Sequence, residues 1–168
     1  MIGSDSGAPE PSAVASAVAG QPGGSAVVLA DSPAARASAE RAAVVSPKLV
    51  GVLFVGHPAA ALAAATAFNP MSSLEENMGA MGDAASSCRA GVVTPGAGAD
   101  AGSAVVAETD RLLAGMAGAG VVTLVAGAGV RHDEAAAAGR ALRRAHPDLH
   151  VDVVTGGPPG SHYLIGVE

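Results

Sequence analysis

The chain has 168 residues, with 9 Lys plus Arg against 15 Asp plus Glu, a net charge of −6 with histidine neutral. That length suits one soluble domain, and the acidic balance supplies no cationic stripe for phosphates, which excludes nucleic-acid binding. Hydrophobic types reach 49% but aromatics only 2%, and tryptophan is absent, so the core is built from small side chains, chiefly alanine, glycine and valine.

The start, MIGSDSGAPEP, has no basic segment followed by an apolar one, so it does not read as a signal peptide. Residues 1–24 are rich in Gly, Pro, Ser and Ala and predict a flexible N-terminal lead, in which only Pro11 to Ala19 suits a short helix. From Ser25 the folded part begins. SAVVLA, bounded by Gly24 and Asp31, is a short apolar run of the kind that forms a strand buried on both faces. Ser32 before Pro33 then places a capping residue ahead of a proline at the first helical position, and the alanine-rich run to Val44 continues as helix. The stretch from Leu49 to Phe68 has the length of a membrane span, but His57 and Pro58 interrupt it at the centre. It reads instead as a strand over Lys48–Val55 and a helix from His57 and Pro58 to about Phe68, stopped by Asn69 and Pro70.

Next, Ser72 and Glu75 have the spacing of a capping box, and Leu74, Met78, Met81, Ala85 and Cys88 form one helical stripe. Gly91 to Thr94 predicts a brief strand, and Pro95 to Ser103 a flexible loop. Val105, Thr109, Leu112 and Met116 mark one face of a further helix. Val121–Ala126 is a third buried strand, Asp133–Ala145 a helix, Leu149–Val154 a fourth strand, and His162–Val167 a short terminal strand. Strands alternating with helices through short loops predict an α/β fold, three-layer and Rossmann-like, with a mostly parallel sheet and helices on both faces. The expected organisation is a single α/β domain over 25–168 behind the lead.

The chemistry is sparsely signposted. Asp31 and Ser32 follow the first strand and His57 the second, at the carboxyl end of the sheet where open α/β folds place ligands; these three are the ligand-binding candidates, against the plainer reading that they cap helices. Gly127 and Gly129 lack the third glycine of a dinucleotide fingerprint, which His132 replaces, and no phosphate-loop string occurs. His150 and Asp152 alternate on one strand, but no set of three or four converging ligands suggests a metal site. Cys88, the only cysteine, excludes an intrachain disulfide, points to a cytoplasmic protein, and on its apolar stripe reads as an inert thiol. No serine sits in G-x-S-x-G, so no catalytic residue is assigned. Arg140, Arg143 and Arg144 read as a solvated helix flank.

Two stretches carry a resemblance. AFNPMSSLEENMGAMGDAASSCRAGVVT, through Phe68, Pro70, Leu74, Glu75, Glu76, Asn77, Met81, Gly91 and Thr94, resembles a segment of the dihydroxyacetone-kinase-like family that includes the fatty acid kinase ATP-binding subunit. The end, VDVVTGGPPGSHYLIGVE, is similar to that family's C-terminus through Gly156, Gly157, Pro159, Tyr163, Leu164, Ile165, Val167 and Glu168. The resemblance implies a C-terminal α/β region that contacts an acyl-carrying partner, without the helical domain that binds ATP and magnesium through clustered carboxylates. This chain departs from the family's usual loops at LADSPA and VGHPAAA and is shorter between Thr94 and Ala104.

The expectation is therefore a noncatalytic interaction or regulatory domain with no cofactor and no metal, recognising its partner by a broad shallow face. The implied partners are a fatty-acid-binding protein, a separate ATP-binding subunit, or a second copy in a homodimer. The alternatives are a small-ligand sensor or enzyme using the Asp31, Ser32 and His57 pocket, and a truncated paralogue without activity.

Overall fold

The computed structural model describes residues 7–95, 100–159 and 162–168, and the chain divides into two compact units at Ser87 and Cys88. The first contains α1 (Pro11–Ala19), β1 (Ser25–Ala30), α2 (Pro33–Val45), β2 (Leu49–Phe54), α3 (Pro58–Thr66) and α4 (Leu74–Ser87). β1 and β2 pair in parallel, from Ser25 opposite Leu49 to Ala30 opposite Phe54, and α2 is the crossover that a parallel pair requires.

Helix α1 does more than lead the chain in. Val14 and Val18, one turn apart, are 5% and 6% exposed and close over Ala39 and Ala42 of α2, with Val28, Val50 and Val52 of the strands packed against them. Two valines on one face were enough to anchor a segment whose composition predicted a loose lead. On β2, Gly51 points where α4 packs: a Cβ there would lie 2.5 Å from the Met78 sulfur and 3.3 Å from Leu74. The missing side chain lets the helix approach the strand closely. In α3 the buried positions are all alanine: Ala59, Ala60, Ala63 and Ala64.

The capping box that opens α4 falls one residue later than the first S-x-x-E frame suggests. Ser73 Oγ accepts from Glu76 N at 3.2 Å and Glu76 Oε2 accepts from Ser73 N at 2.7 Å. SSLEE contains both frames, and Ser72 is drawn into the preceding turn by its N–H bond to Asn69 O at 3.1 Å.

The second unit contains β3 (Arg89–Val93), α5 (Ala101–Leu113), β4 (Val121–Gly127), α6 (His132–Ala145), β5 (His150–Gly157) and β6 (Tyr163–Val167). Part of the loop expected over Pro95–Ser103 is helix: Asp100 caps α5 by accepting from Gly102 N and Ser103 N, at 3.1 and 3.2 Å. Gly96–Ala99 of that loop lie outside the described residues. The strand order is β3-β6-β4-β5. β4 and β5 are parallel, as expected, but β6 runs antiparallel to both β3 and β4. The chain is thus mixed α/β with one parallel and one mixed sheet, where the alternating pattern predicted a mostly parallel one. The reason lies in the connection from β5 to β6, which is too short for the dozen or more residues of a parallel crossover, so β6 must reverse direction. Val105 and Leu112 of α5, Leu142 of α6, Val122 and Leu124 of β4, and Tyr163, Ile165 and Val167 of β6 form the core of this unit. Val105, Thr109 and Leu112 are the buried face of α5 that the spacing predicted.

Candidate functional site

Asp31, Ser32 and His57 stand together at one end of the β1–β2 pair, because two parallel strands in register deliver the residues after Ala30 and Phe54 to the same edge. Gly56, at φ +67, makes the turn out of β2 in a conformation that favours glycine. His57 is thereby set at the N-terminus of α3. Its Nδ1 accepts from Ala59 N at 3.1 Å, and Ser32 Oγ accepts from Ala35 N at 3.2 Å at the N-terminus of α2. Both residues are caps, as the plainer reading held, while Asp31 is exposed and caps nothing.

The cap decides the chemistry of the imidazole. An Nδ1 that accepts from a backbone amide is unprotonated, so the neutral ring carries its hydrogen on Nε2. That Nε2 is buried and has no hydrogen-bond partner among the described residues. Burial holds the His57 pKa below its ordinary value, and the negative charge of Asp31 opposes the shift only in part. The site therefore presents a neutral, buried N–H donor beside an exposed carboxylate, between two helix N-termini. It has the makings of a recognition group for an oxygen acceptor. Ser32 Oγ accepts from a backbone amide, and no side-chain base is hydrogen-bonded to its hydroxyl among the described residues, so nothing there activates it as a nucleophile.

The residues that carry the family resemblance sit elsewhere and do structural work. Asn77, 3% exposed, uses its whole amide: Oδ1 accepts from Asn69 N at 2.8 Å, and Nδ2 donates to the carbonyls of Asn69, Ser72 and Ser73 at 2.9, 3.2 and 3.1 Å. This clamps the turn containing Phe68 and Pro70 onto the start of α4. Leu74 packs near Gly51, Glu76 belongs to the capping box, Met81 is buried, and Glu75 is exposed. Gly91 lies under the Glu108 side chain of α5, which would collide with a Cβ, and Thr94 is exposed just past β3. Gly156, at φ +86, and Gly157, at a register shift opposite Gly127, shape the end of β5, with Pro159 exposed beyond it. Tyr163 is 2% exposed in the core, where burial raises its pKa. The sequence marks these positions as a motif; the buried amide of Asn77 is what gives the LEEN string its use.

His150 Nε2 is paired with Asp152 Oδ1 at 3.0 Å on the exposed side of β5, whereas His146 Nε2 lies 3.2 Å from Asp110 Oδ1 of α5 without hydrogen-bond geometry and, like His57 Nε2, is buried with no hydrogen-bond partner among the described residues. Cys88 is half-buried, and burial reinforced by the Glu168 carboxylate pushes its thiol up to about 11. Among the described residues, no three His, Cys, Asp or Glu converge as a metal site, and no helix is long and apolar enough to cross a membrane.

No curated protein matches the sequence. Among solved structures, the chain is similar to a DegV-family protein from Ruminococcus gnavus ATCC 29149, a structure with vaccenic acid. The TM-score is 0.65 at 13% identity, over 96% of this chain and 78% of that one. That likeness gives the fold. CetZ2 from Haloferax volcanii, in a GTPγS-bound protofilament, aligns at a TM-score of 0.29 and 13% identity over 94% of this chain and 58% of that one, too slight to carry an argument. The family model for the FakA-like C-terminal region of fatty acid kinase matches residues 2–101 and 96–168. With its motif residues found holding the turns and core strand of a DegV-like α/β fold, the chain belongs to the FakA-like C-terminal family of fatty acid kinase.

Proposed function

We propose that this chain is a noncatalytic docking and regulatory domain that engages an acyl-binding protein partner in the cytoplasm. The observation that carries the reading is the family match over nearly the whole length. The residues matched to the family motifs support it, since they build a scaffold and leave the surface to recognition. The acyl chemistry is supported by the fold relative solved with vaccenic acid. We also read the first unit as the remnant of a three-layer Rossmann-like arrangement, with α1 and α2 packed on the β1–β2 pair and α4 against Gly51 of β2.

One observation favours a second reading. The unpartnered Nε2–H of His57 is a costly arrangement for a mere cap, because a buried donor without an acceptor forfeits about 1–3 kcal/mol. A small ligand with a carbonyl or carboxylate oxygen would satisfy it, making the Asp31, Ser32 and His57 site a sensor pocket.

Calorimetric titration of the chain with a purified DegV-family fatty-acid-binding protein, empty and loaded with vaccenate, separates the two. The docking reading expects saturable binding of the loaded protein and none of free vaccenate. Stabilisation by free vaccenate that disappears in His57→Ala, with no binding of the protein, would replace it with the sensor reading. Binding of neither would leave a paralogue without activity.

A further inference from the structure

Helix α6 carries Arg140, Arg143 and Arg144 within five residues, a third of the chain's 9 Lys and Arg. The helix gives Arg140 no counter-ion: three and four positions before it stand Ala137 and Ala136, and three and four after it Arg143 and Arg144. The adjacent edge strand gives none on the face that meets α6. Side chains alternate along a strand, and Val153 is the one that meets Gly139 of the helix, which puts Val151 and Thr155 on the same side. Asp152 belongs to the other side, where it pairs with His150. Arg140 makes no hydrogen bond or ion pair among the described residues.

Arg143 is held in a different way. Its Nη2 donates to Val151 O at 2.7 Å, so the guanidinium lies against the edge strand and one edge carbonyl is occupied. Of its five N–H donors, that bond uses one. Between α6 and β5 lies a cleft of about 280 Å³ lined by His132, Arg140, Arg143 and Thr155 over Ala135 and Ala136. The alanines keep the cleft open. Two like charges three residues apart repel each other, and in a chain of net charge −6 they are left facing a hollow with no carboxylate in it.

We propose that this α6–β5 cleft binds a phosphate monoester group. Two guanidiniums, an imidazole and a hydroxyl offer more donors than the two oxygens of a carboxylate can use. A phosphate ester has three terminal oxygens and close to two negative charges, and arginine forks match it. The inference does not depend on the docking reading, since it rests on a different unit and different residues.

The test is an NMR titration of the full chain at constant ionic strength with methyl phosphate, with inorganic phosphate and acetate as separate arms. Saturable shifts of the His132 and Thr155 amides are expected with methyl phosphate. Inorganic phosphate shifting the same amides as strongly would assign the site to free phosphate within the same chemistry. Arg140→Gln should weaken binding about tenfold or more, whereas Arg144→Gln, which removes the same charge from the α5 side of the helix, should leave it unchanged. No saturable shift, acetate binding as tightly as phosphate, or equal losses in the two variants would overturn the proposal, the last by showing only a diffuse field.

Discussion

Replacing Asn77 tests whether the family's LEEN string is a structural clamp. The side chain makes four hydrogen bonds, to Asn69 N, Asn69 O, Ser72 O and Ser73 O. Oδ1 accepts once and the two N–H of Nδ2 are shared among the three carbonyls, so at about 1 kcal/mol net for each of these three hydrogens Asn77→Ala would lose about 3 kcal/mol if no group could be rehydrated. Asn69 and Ser73 are exposed, so water recovers part of this and the expected loss is about 2 kcal/mol. Asn77→Asp is more specific. It keeps the acceptor for Asn69 N but turns an oxygen toward three carbonyls, which disfavours the carboxylate and raises its folded-state pKa. The protonated acid can donate one bond, so the variant should lose stability progressively as pH rises from about 4, the unfolded value, through the higher folded one. Urea unfolding followed by far-UV circular dichroism suits the measurement, because the chain lacks tryptophan and its one tyrosine, Tyr163, belongs to the other unit. Amide exchange at Asn69 should speed up in both variants. An Asn77→Ala loss below about 0.5 kcal/mol, or an Asn77→Asp variant with the pH dependence of the parent chain, would refute the clamp.

Burial lowers the His57 pKa from 6.5, so the unfolded chain binds its proton more tightly than the folded one. Stability from this group is present above about pH 6.5 and is lost as pH falls through the folded value; His57→Asn, which keeps a capping oxygen, should flatten that part of a pH–stability curve. Gly139→Ala would place a Cβ 2.5 Å from Val153 Cγ2, and the rigid β-branched neighbour should make the change cost about 1–3 kcal/mol in chemical denaturation despite alanine's helix preference. Adding Val153→Ala should recover part of that loss. The Cys88 thiol, raised to about 11, should alkylate slowly with iodoacetamide at pH 7–8 and accelerate only toward that value; rapid labelling at neutral pH would contradict its environment. ATP with magnesium should give no saturable heat in calorimetry, and micromolar binding would overturn the docking-domain reading.

Much of the element order was legible because local chemistry marks it. Ser32 with Pro33 and His57 with Pro58 announce helix starts that the structure places where the residues suggest, and Val105, Thr109 and Leu112 identify the buried face of α5. The sheet was harder to read. Whether β6 runs parallel or antiparallel depends on the length of its connection and on which strands it joins, and valine-rich runs look alike in either case. The anchoring of α1 was hidden because alanine and valine say little about burial in a chain where half the residues are apolar. At the candidate site, the sequence brought Asp31, Ser32 and His57 to one edge, but the orphaned Nε2–H follows from the cap bond at Nδ1, and no pattern of residues encodes that. The arginines of α6 are exposed, as a solvated flank should be, but the cleft that Arg140 and Arg143 line forms only when β5 is laid beside the helix, which no spacing along α6 encodes.

The alanine-built interior of the first unit has a thermal consequence. Ala39, Ala42, Ala59, Ala60, Ala63 and Ala64 are all buried, and alanine has no rotamer freedom to surrender on folding. Each also removes little apolar surface from water, and the heat-capacity increment of unfolding scales with that surface. Such a unit should have a shallow stability curve: modest at its maximum, changing little between refrigeration and fever, and slow to lose its fold on cooling. Its resistance to temperature would come from a low entropic cost of folding instead of a large hydrophobic gain.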